Sequence, residues 1–222
     1  MKTKTIKSFV QLHRVIESYS ASTVIYRGVK DLAYDLTPKI GRYRKFQRAG
    51  DTLKEEKYML RLFKDQAIRF LLYRPDNEWD WLAAAQHHGL PTRLLDWTRN
   101  PLVAAYFAVR EEHDGDSAVY AFKSNSYVRT ENYPDPFRRD KIGKFIPRHV
   151  SPRITAQAGL FTIHPDPLRP LSSKSVDTLI IHSGFRRALK RILYRYGIHE
   201  ATMFPDLDGV CRHIEYLRTD KY

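Results

Sequence analysis

Apolar residues along the chain recur at two different periods, and the switches between them outline the elements. Phe9, Leu12, Ile16 and Tyr19 fall at helical spacing behind Ser8, whose hydroxyl can cap a helix with Gln11 at the third position, so a helix is predicted over about 8–19. Residues 22–27 are β-branched and aromatic and stop at Gly28, which predicts a strand. A basic loop follows. Met59, Leu62, Phe63, Ala67 and Phe70 make one stripe of a helix over about 52–73. Asn77 can cap a helix from Glu78 to His88, with Gly89 at its stop and Pro91 beyond. Asn100-Pro101 opens a further helix, whose residues 102–109 are apolar almost all round and therefore destined for burial. Strands are predicted at 117–123, 159–164 and 176–182. Phe185, Leu189, Ile192, Leu193 and Tyr196 define a helix that ends at Gly197, and a last helix over about 206–218 turns Leu207, Val210, Cys211, Ile214 and Leu217 inward. Residues 124–153, rich in Pro, Arg, Asp and Tyr, predict a long loop or poorly regular insert.

Helices and strands do not alternate cleanly, so the fold class expected is α+β: a single compact domain over 1–222, with a mixed sheet and packed helices. Of the 222 residues 42% are hydrophobic, enough for a sizeable core. The single cysteine, Cys211, excludes an intrachain disulfide, and its apolar stripe suggests a core thiol. No apolar run has the roughly 20 residues a membrane span needs, and no secretory signal is visible. A cytoplasmic protein without membrane contact is the expectation.

Charge changes the picture. With 38 Lys+Arg against 25 Asp+Glu, the net charge is +13, which points to an anionic partner. Basic residues cluster in 26–48, 138–153 and 186–195, with Tyr43, Phe46, Phe145, Tyr194 and Tyr196 among them. Cations interleaved with aromatics can grip a nucleic-acid strand through phosphates and base stacking.

The segment richest in chemistry runs from Gln86 to Thr98 and packs His87, His88, Thr92, Arg93, Asp96, Trp97 and Thr98 into thirteen positions. A turn between a helix and a short extended piece would bring these groups to one rim. Arg27 ends the first strand, where a cation needs a carboxylate such as Asp96 or Asp208, or a bound phosphate. Gly28 allows a ligand close to the backbone. Asp206 suits an N-cap, and with Asp208 it could also serve a hard cation. Adjacent His87 and His88 diverge by about 100° on a helix, so no shared metal ion is expected. There is no P-loop and no Gly-rich dinucleotide fingerprint.

Tyr26-Arg27-Gly28, the run from Ala85 to Thr98, Asn100-Pro101, the run from Arg153 to Phe161, and Phe204-Pro205-Asp206-Leu207-Asp208-Gly209 together resemble the FRG domain family, with Tyr in place of the Phe that gives the family its name. These blocks run from about 23 to 210 in family order. The family is bacterial and often phage-associated; a compact basic member with no visible targeting signal fits a toxin or antiviral-defence effector with a neutralising antitoxin protein as partner, and equally a housekeeping module.

The block order is also similar to that of ADP-ribosyltransferases, and that likeness implies a mechanism. Arg27 would hold the pyrophosphate or ribose of NAD, Thr98 would stand ahead of a packed helix, and Gln157 would occupy the place of a late acid. A Gln cannot accept a proton as a carboxylate does, so Asp96 or Glu200 would then supply that group. Arg27, Asp96, Thr98, Gln157 and Glu200 are thus the catalytic candidates. Arg27, Gly28, His88, Thr92, Arg93, Trp97 and Phe161 are the candidates for binding NAD, with nicotinamide against Trp97 or Phe161. The implied activity is mono-ADP-ribosyl transfer to RNA, DNA or protein, guided by segments 138–153 and 186–195. Two other classes fit the residues: a metal-dependent nuclease or phosphodiesterase using His88, Asp96, Asp206 and Asp208, and a non-catalytic nucleic-acid or nucleotide-binding module.

Overall fold

The computed structural model describes residues 2–49, 51–71, 74–148 and 151–219. It shows an α+β fold around a seven-stranded mixed sheet in the order β1-β7-β4-β2-β3-β6-β5. The strands are β1 Thr3–Ile6, β2 Val24–Val29, β3 Leu94–Thr98, β4 Ser117–Lys123, β5 Gly143–Phe145, β6 Gly159–Ile163 and β7 Val176–Ile181. Only the edge pair β1–β7 is parallel; every other neighbouring pair is antiparallel.

The helices are α1 Phe9–Glu17, α2 Arg44–Ala49, α3 Thr52–Ala67, α4 Glu78–His87, α5 Pro101–Val109, α6 Pro152–Ala156, α7 Ser183–Arg195, α8 Glu200–Met203 and α9 Leu207–Thr219. Local chemistry starts several as expected. Ser8 Oγ accepts from Gln11 N at 3.3 Å, Asn77 Oδ1 accepts from Asp80 N at 3.0 Å, and Asn100 Oδ1 accepts from Leu102 N at 2.9 Å ahead of Pro101. Gly89, at φ 89°, ends α4 in the left-handed region.

The core has three parts. On one face of the sheet, α1, α5 and α7 pack on β1, β2, β4 and β7, and α5 is enclosed on almost every side. Further along, α3 and α4 pack with Leu94, Phe145, Phe161 and Ile163. A third cluster joins Ile25, Leu95, Trp97, Phe122, Leu160 and Val176. Along β3, Leu94 belongs to the second cluster and Leu95 and Trp97 to the third, so alternation puts Asp96 and Thr98 on the face opposite Trp97. Among the described residues no helix is long and apolar enough to cross a membrane.

Several expectations are corrected. The expected helix over 52–73 ends at Ala67, runs on as a single 3₁₀ turn at 68–70, and its expected end at 72–73 lies outside the described residues. Its buried positions are Thr52, Glu56 and Leu60, not the stripe through Leu62 and Phe70, because Glu56 is drawn inward by a buried arginine. The basic loop holds α2, and the insert 124–153 holds β5 and the start of α6, with residues 149–150 outside the described set. In α9 the expected face is reversed: Leu207 is 82% exposed, Val210, Ile214 and Leu217 are exposed, and Cys211 is a free surface thiol rather than a core residue. Gly209, Arg212, His213 and Tyr216 turn toward the body instead.

Candidate functional site

The sheet is weakest at its centre. β2 pairs with β4 over six residues and β3 with β6 over five, but β2 and β3 pair only at Tyr26–Thr98. Beyond that pair the two strands part. The Arg27 side chain crosses the gap, with Nη1 donating to the Asp96 carbonyl oxygen at 2.7 Å and lying 3.5 Å from Asp96 Oδ2. A cavity of about 280 Å³ opens there, lined by Tyr26, Arg27, Gly28, Asp96, Trp97, Thr98, Phe107 and Gln157. Arg27, Gly28, Asp96, Trp97, Thr98 and Gln157, separated by up to 130 positions in sequence, thus meet at one cavity.

Each polar group is positioned by a neighbour. Burial pushes the pKa of Arg27 down, and the Asp96 carboxylate offsets part of that cost. Arg27 Nε is buried and has no hydrogen-bond partner among the described residues. Asp96 is exposed at the rim and is the one carboxylate among the described residues that line the cavity. Gln86 Nε2 donates to Asp96 Oδ2 at 2.9 Å, and Thr92 Oγ1 donates to Gln86 Oε1 at 2.6 Å, which fixes the Gln86 amide with its nitrogen toward the carboxylate. Thr98 Oγ1 donates to the Gln157 carbonyl at 2.6 Å and accepts from Asn100 N at 3.0 Å, tying β3 to the turn before β6. Gln157 Nε2 donates to the Met203 carbonyl at 2.9 Å, which leaves the amide oxygen as its uncommitted group.

Other candidates stand apart from the cavity or reach it through a neighbour. Arg93, 3% exposed, is held by Glu56 through both its Nε and its backbone N–H, so it braces α3 against β3. Thr92 is buried and acts on the site only through Gln86. His88 is exposed at the end of α4. Phe161 is buried in the second core cluster, stacked on Phe145, and Trp97 is buried with its indole N–H on Thr162 Oγ1 at 2.8 Å. Neither ring has an accessible face for a nicotinamide. Half-buried Phe107 supplies the exposed aromatic wall instead. Glu200 lies outside the cavity, where it receives Tyr106 Oη at 2.6 Å and the guanidiniums of Arg110 and Arg212. Gly28 lines the cavity by its backbone, but its missing side chain serves α5: a Cβ there would collide with the Ala104 carbonyl and lie 2.7 Å from Ala108 N.

Two residues that sequence reasoning passed over support this region. His164, buried just past the end of β6, shares a 2.9 Å hydrogen bond with Thr162 Oγ1, and burial, with Arg27 and Arg93 nearby, pushes its pKa down to about 4. Gln86 was visible in the 86–98 run, but nothing in the pattern marked it as the group that holds Asp96. Asp206 pairs with Arg153 at 2.9 Å and accepts from Gly209 N at 2.8 Å, contacts that hold its carboxyl below the usual range. Asp208 is exposed, and no three His, Cys, Asp or Glu side chains among the described residues are grouped to hold a metal ion. His88, Asp96, Asp206 and Asp208 therefore do not form one ligand set.

Residues 22–117 match the FRG domain family, a span that includes Arg27, Asp96 and Thr98 and stops short of Gln157 and the 204–209 block. No curated protein and no solved structure matches the chain.

Proposed function

We infer, for a chain whose residues 22–117 match the FRG domain family, that the cavity between β2 and β3 takes the nicotinamide–ribose end of NAD and that the protein transfers ADP-ribose to an acceptor. The observation that carries this reading is the meeting of Arg27, Asp96, Thr98 and Gln157 at one cavity, with a buried Arg27 N–H still lacking an acceptor. A ribose hydroxyl or phosphate oxygen satisfies that donor. A cavity of about 280 Å³ suits a nucleotide fragment rather than a whole dinucleotide.

The chain's own groups divide the work. Asp96 lies beside the point where positive charge develops as the bond between ribose C1′ and the nicotinamide nitrogen breaks, and its carboxylate stabilises that charge. The bonding pair leaves with nicotinamide, which departs neutral. The acceptor's oxygen or nitrogen forms the new bond to C1′, and Asp96 takes the proton released by the acceptor. Gln157 offers its amide oxygen to a ribose hydroxyl. Arg27 holds the ribose side and keeps Asp96 in place, so much of the rate comes from positioning.

The acceptor this reading favours is nucleic acid, because the chain carries +13 and α7 presents Arg187, Arg191 and Arg195 on one exposed face. The test is incubation with NAD labelled on the adenylate, in separate tubes with RNA, DNA and cell lysate, following free nicotinamide and transferred label. Label on one acceptor supports the reading and names the acceptor class. No NAD consumption in any tube, with folded protein, overturns it. Arg27→Ala is expected to lower nicotinamide release by about 10²–10³-fold with the circular-dichroism spectrum unchanged; full activity in that variant sinks the assignment.

A further inference from the structure

Next to the cavity, behind Phe107, three guanidiniums gather on one ring. The Cζ atoms of Arg110, Arg153 and Arg212 lie 4.7, 4.9 and 5.2 Å from the centroid of Phe204. They arrive from different elements: Arg110 ends α5, Arg153 lies in α6 and Arg212 in α9. Phe204 meets Phe107 edge-on at 6.1 Å, and Phe107 lines the cavity. Gln157 reaches the same wall through the Met203 carbonyl. The arginine cluster and the cavity therefore lie on either side of one wall, formed by half-buried Phe107 and buried Met203 and Phe204.

Bringing three cations to one ring is costly unless anions sit among them. Two carboxylates do so. Asp206 takes Arg153 at 2.9 Å, and Glu200 takes Arg110 at 3.2 Å and Arg212 at 3.3 Å. Among these five side chains the cations outnumber the carboxylates by one, and on the Arg110–Arg212 side Glu112, Glu215 and Lys190 line the adjoining cavity. Arg110 Nε is buried and, although near Glu200, makes no hydrogen bond of acceptable geometry. Each side chain is partly open to solvent, at 23%, 33% and 41% for Arg110, Arg153 and Arg212. A guanidinium stacked on a ring keeps its plane fixed and its N–H edges available, the arrangement that matches phosphate oxygens in pairs.

We propose that Arg110, Arg153 and Arg212, seated on Phe204, bind the diphosphate bridge of the dinucleotide whose nicotinamide end enters the cavity. The inference rests on the transfer reading for the identity of the ligand. It also relocates the pyrophosphate expected at Arg27, leaving Arg27 to the ribose. Two adjacent phosphates suit three forked donors better than a lone carboxylate does, because their oxygens can engage two guanidiniums at once.

The experiment is calorimetric titration of the full chain with ADP, ADP-ribose and adenosine. Arg153→Gln and Arg212→Gln are each expected to weaken ADP and ADP-ribose by about tenfold. Hydrogen exchange of the unsubstituted protein with ADP avoids any folding defect, and protection is expected across 200–212. Equal ADP affinity in the arginine variants, protection confined to 26–28, or no ADP binding by the folded protein overturns the proposal. Turnover separates the two readings. Nicotinamide release with an unchanged KM for NAD in Arg212→Gln leaves transfer standing and removes this site. Arginine-dependent ADP binding without any nicotinamide release does the reverse.

Discussion

At Arg27 one side chain spans the gap where two strands part, and its neighbours show what residue identity alone conveys. Arg27, Asp96, Thr98 and Gln157 were legible as chemistry because a cation at a strand end and polar groups at turns have few bland roles. Trp97 and Phe161 were not, because identity does not say which side of a strand a ring takes. Strand alternation sends Trp97 away from Asp96 and Thr98, into the core with Ile25 and Leu160. Arg93, a candidate for binding NAD by its sequence, is half of a buried ion pair with Glu56. Glu56→Ala would leave that cation buried and unpaired, so chemical denaturation should show a loss of about 3–5 kcal/mol. A loss below 1 kcal/mol would mean the pair is solvated in practice. Gly28→Ala tests the neighbouring position. Its Cβ meets the α5 backbone rather than a flexible side chain, so α5 must shift, at a cost of about 1–3 kcal/mol or more in the same assay. An unchanged denaturation midpoint would show that α5 yields freely.

Elements were most legible where pattern and capping agreed. α1, α4, α5, β4 and α7 lie close to their expected bounds because each has a clear period and most have a side-chain cap at the start. β1 was missed because Thr3-Lys4-Thr5-Ile6 carries one buried residue and owes its place to a ladder with β7, a partner 175 residues away. α8 is a single turn, too short for any period. α9 is the instructive failure. A period reveals that a helix has an apolar stripe but not what that stripe faces, and here aromatic and charged side chains make the contact with the body. Tyr216 lies under the Lys190 ammonium at 4.2 Å, and His213 stacks on His199 at 4.2 Å. Ile214→Ser and Leu217→Ser should therefore change stability by no more than about 0.5 kcal/mol. Gly209→Ala should cost far more, because its Cβ would strike the Phe204 carbonyl oxygen. Urea midpoints of the three variants check the contrast, and a large loss at Ile214 would put the stripe inward after all.

At the scale of the whole molecule, the α+β class followed from the mixed order of helical and alternating segments, but the strand order did not. Pairing between β2 and β3, or β1 and β7, joins distant segments, and nothing local encodes that β2 and β3 should pair once and separate. That separation makes the cavity, so the site's residues were readable while its shape was not. The same centre of the sheet also couples the fold to pH. His164 is 1% exposed, bonded to Thr162 Oγ1, and kept neutral by burial and by the cations Arg27 and Arg93. Its pKa falls from 6.5 in the unfolded chain to about 4 in the native state. Between those values the unfolded chain binds the proton and the native protein does not, so stability is full above about 6.5 and is lost as pH falls toward 4. A depression of that size amounts to about 3 kcal/mol. Half-buried His87, also lowered to about 4 by burial and by His88 and Arg153, adds in the same direction. Urea titrations at pH near 7 and near 4.5 should show a steep loss in the unsubstituted protein and a shallower one in His164→Gln, whose amide keeps a partner for Thr162 without titrating. Equal slopes in the two proteins would mean that His164 takes up its proton without opening the sheet.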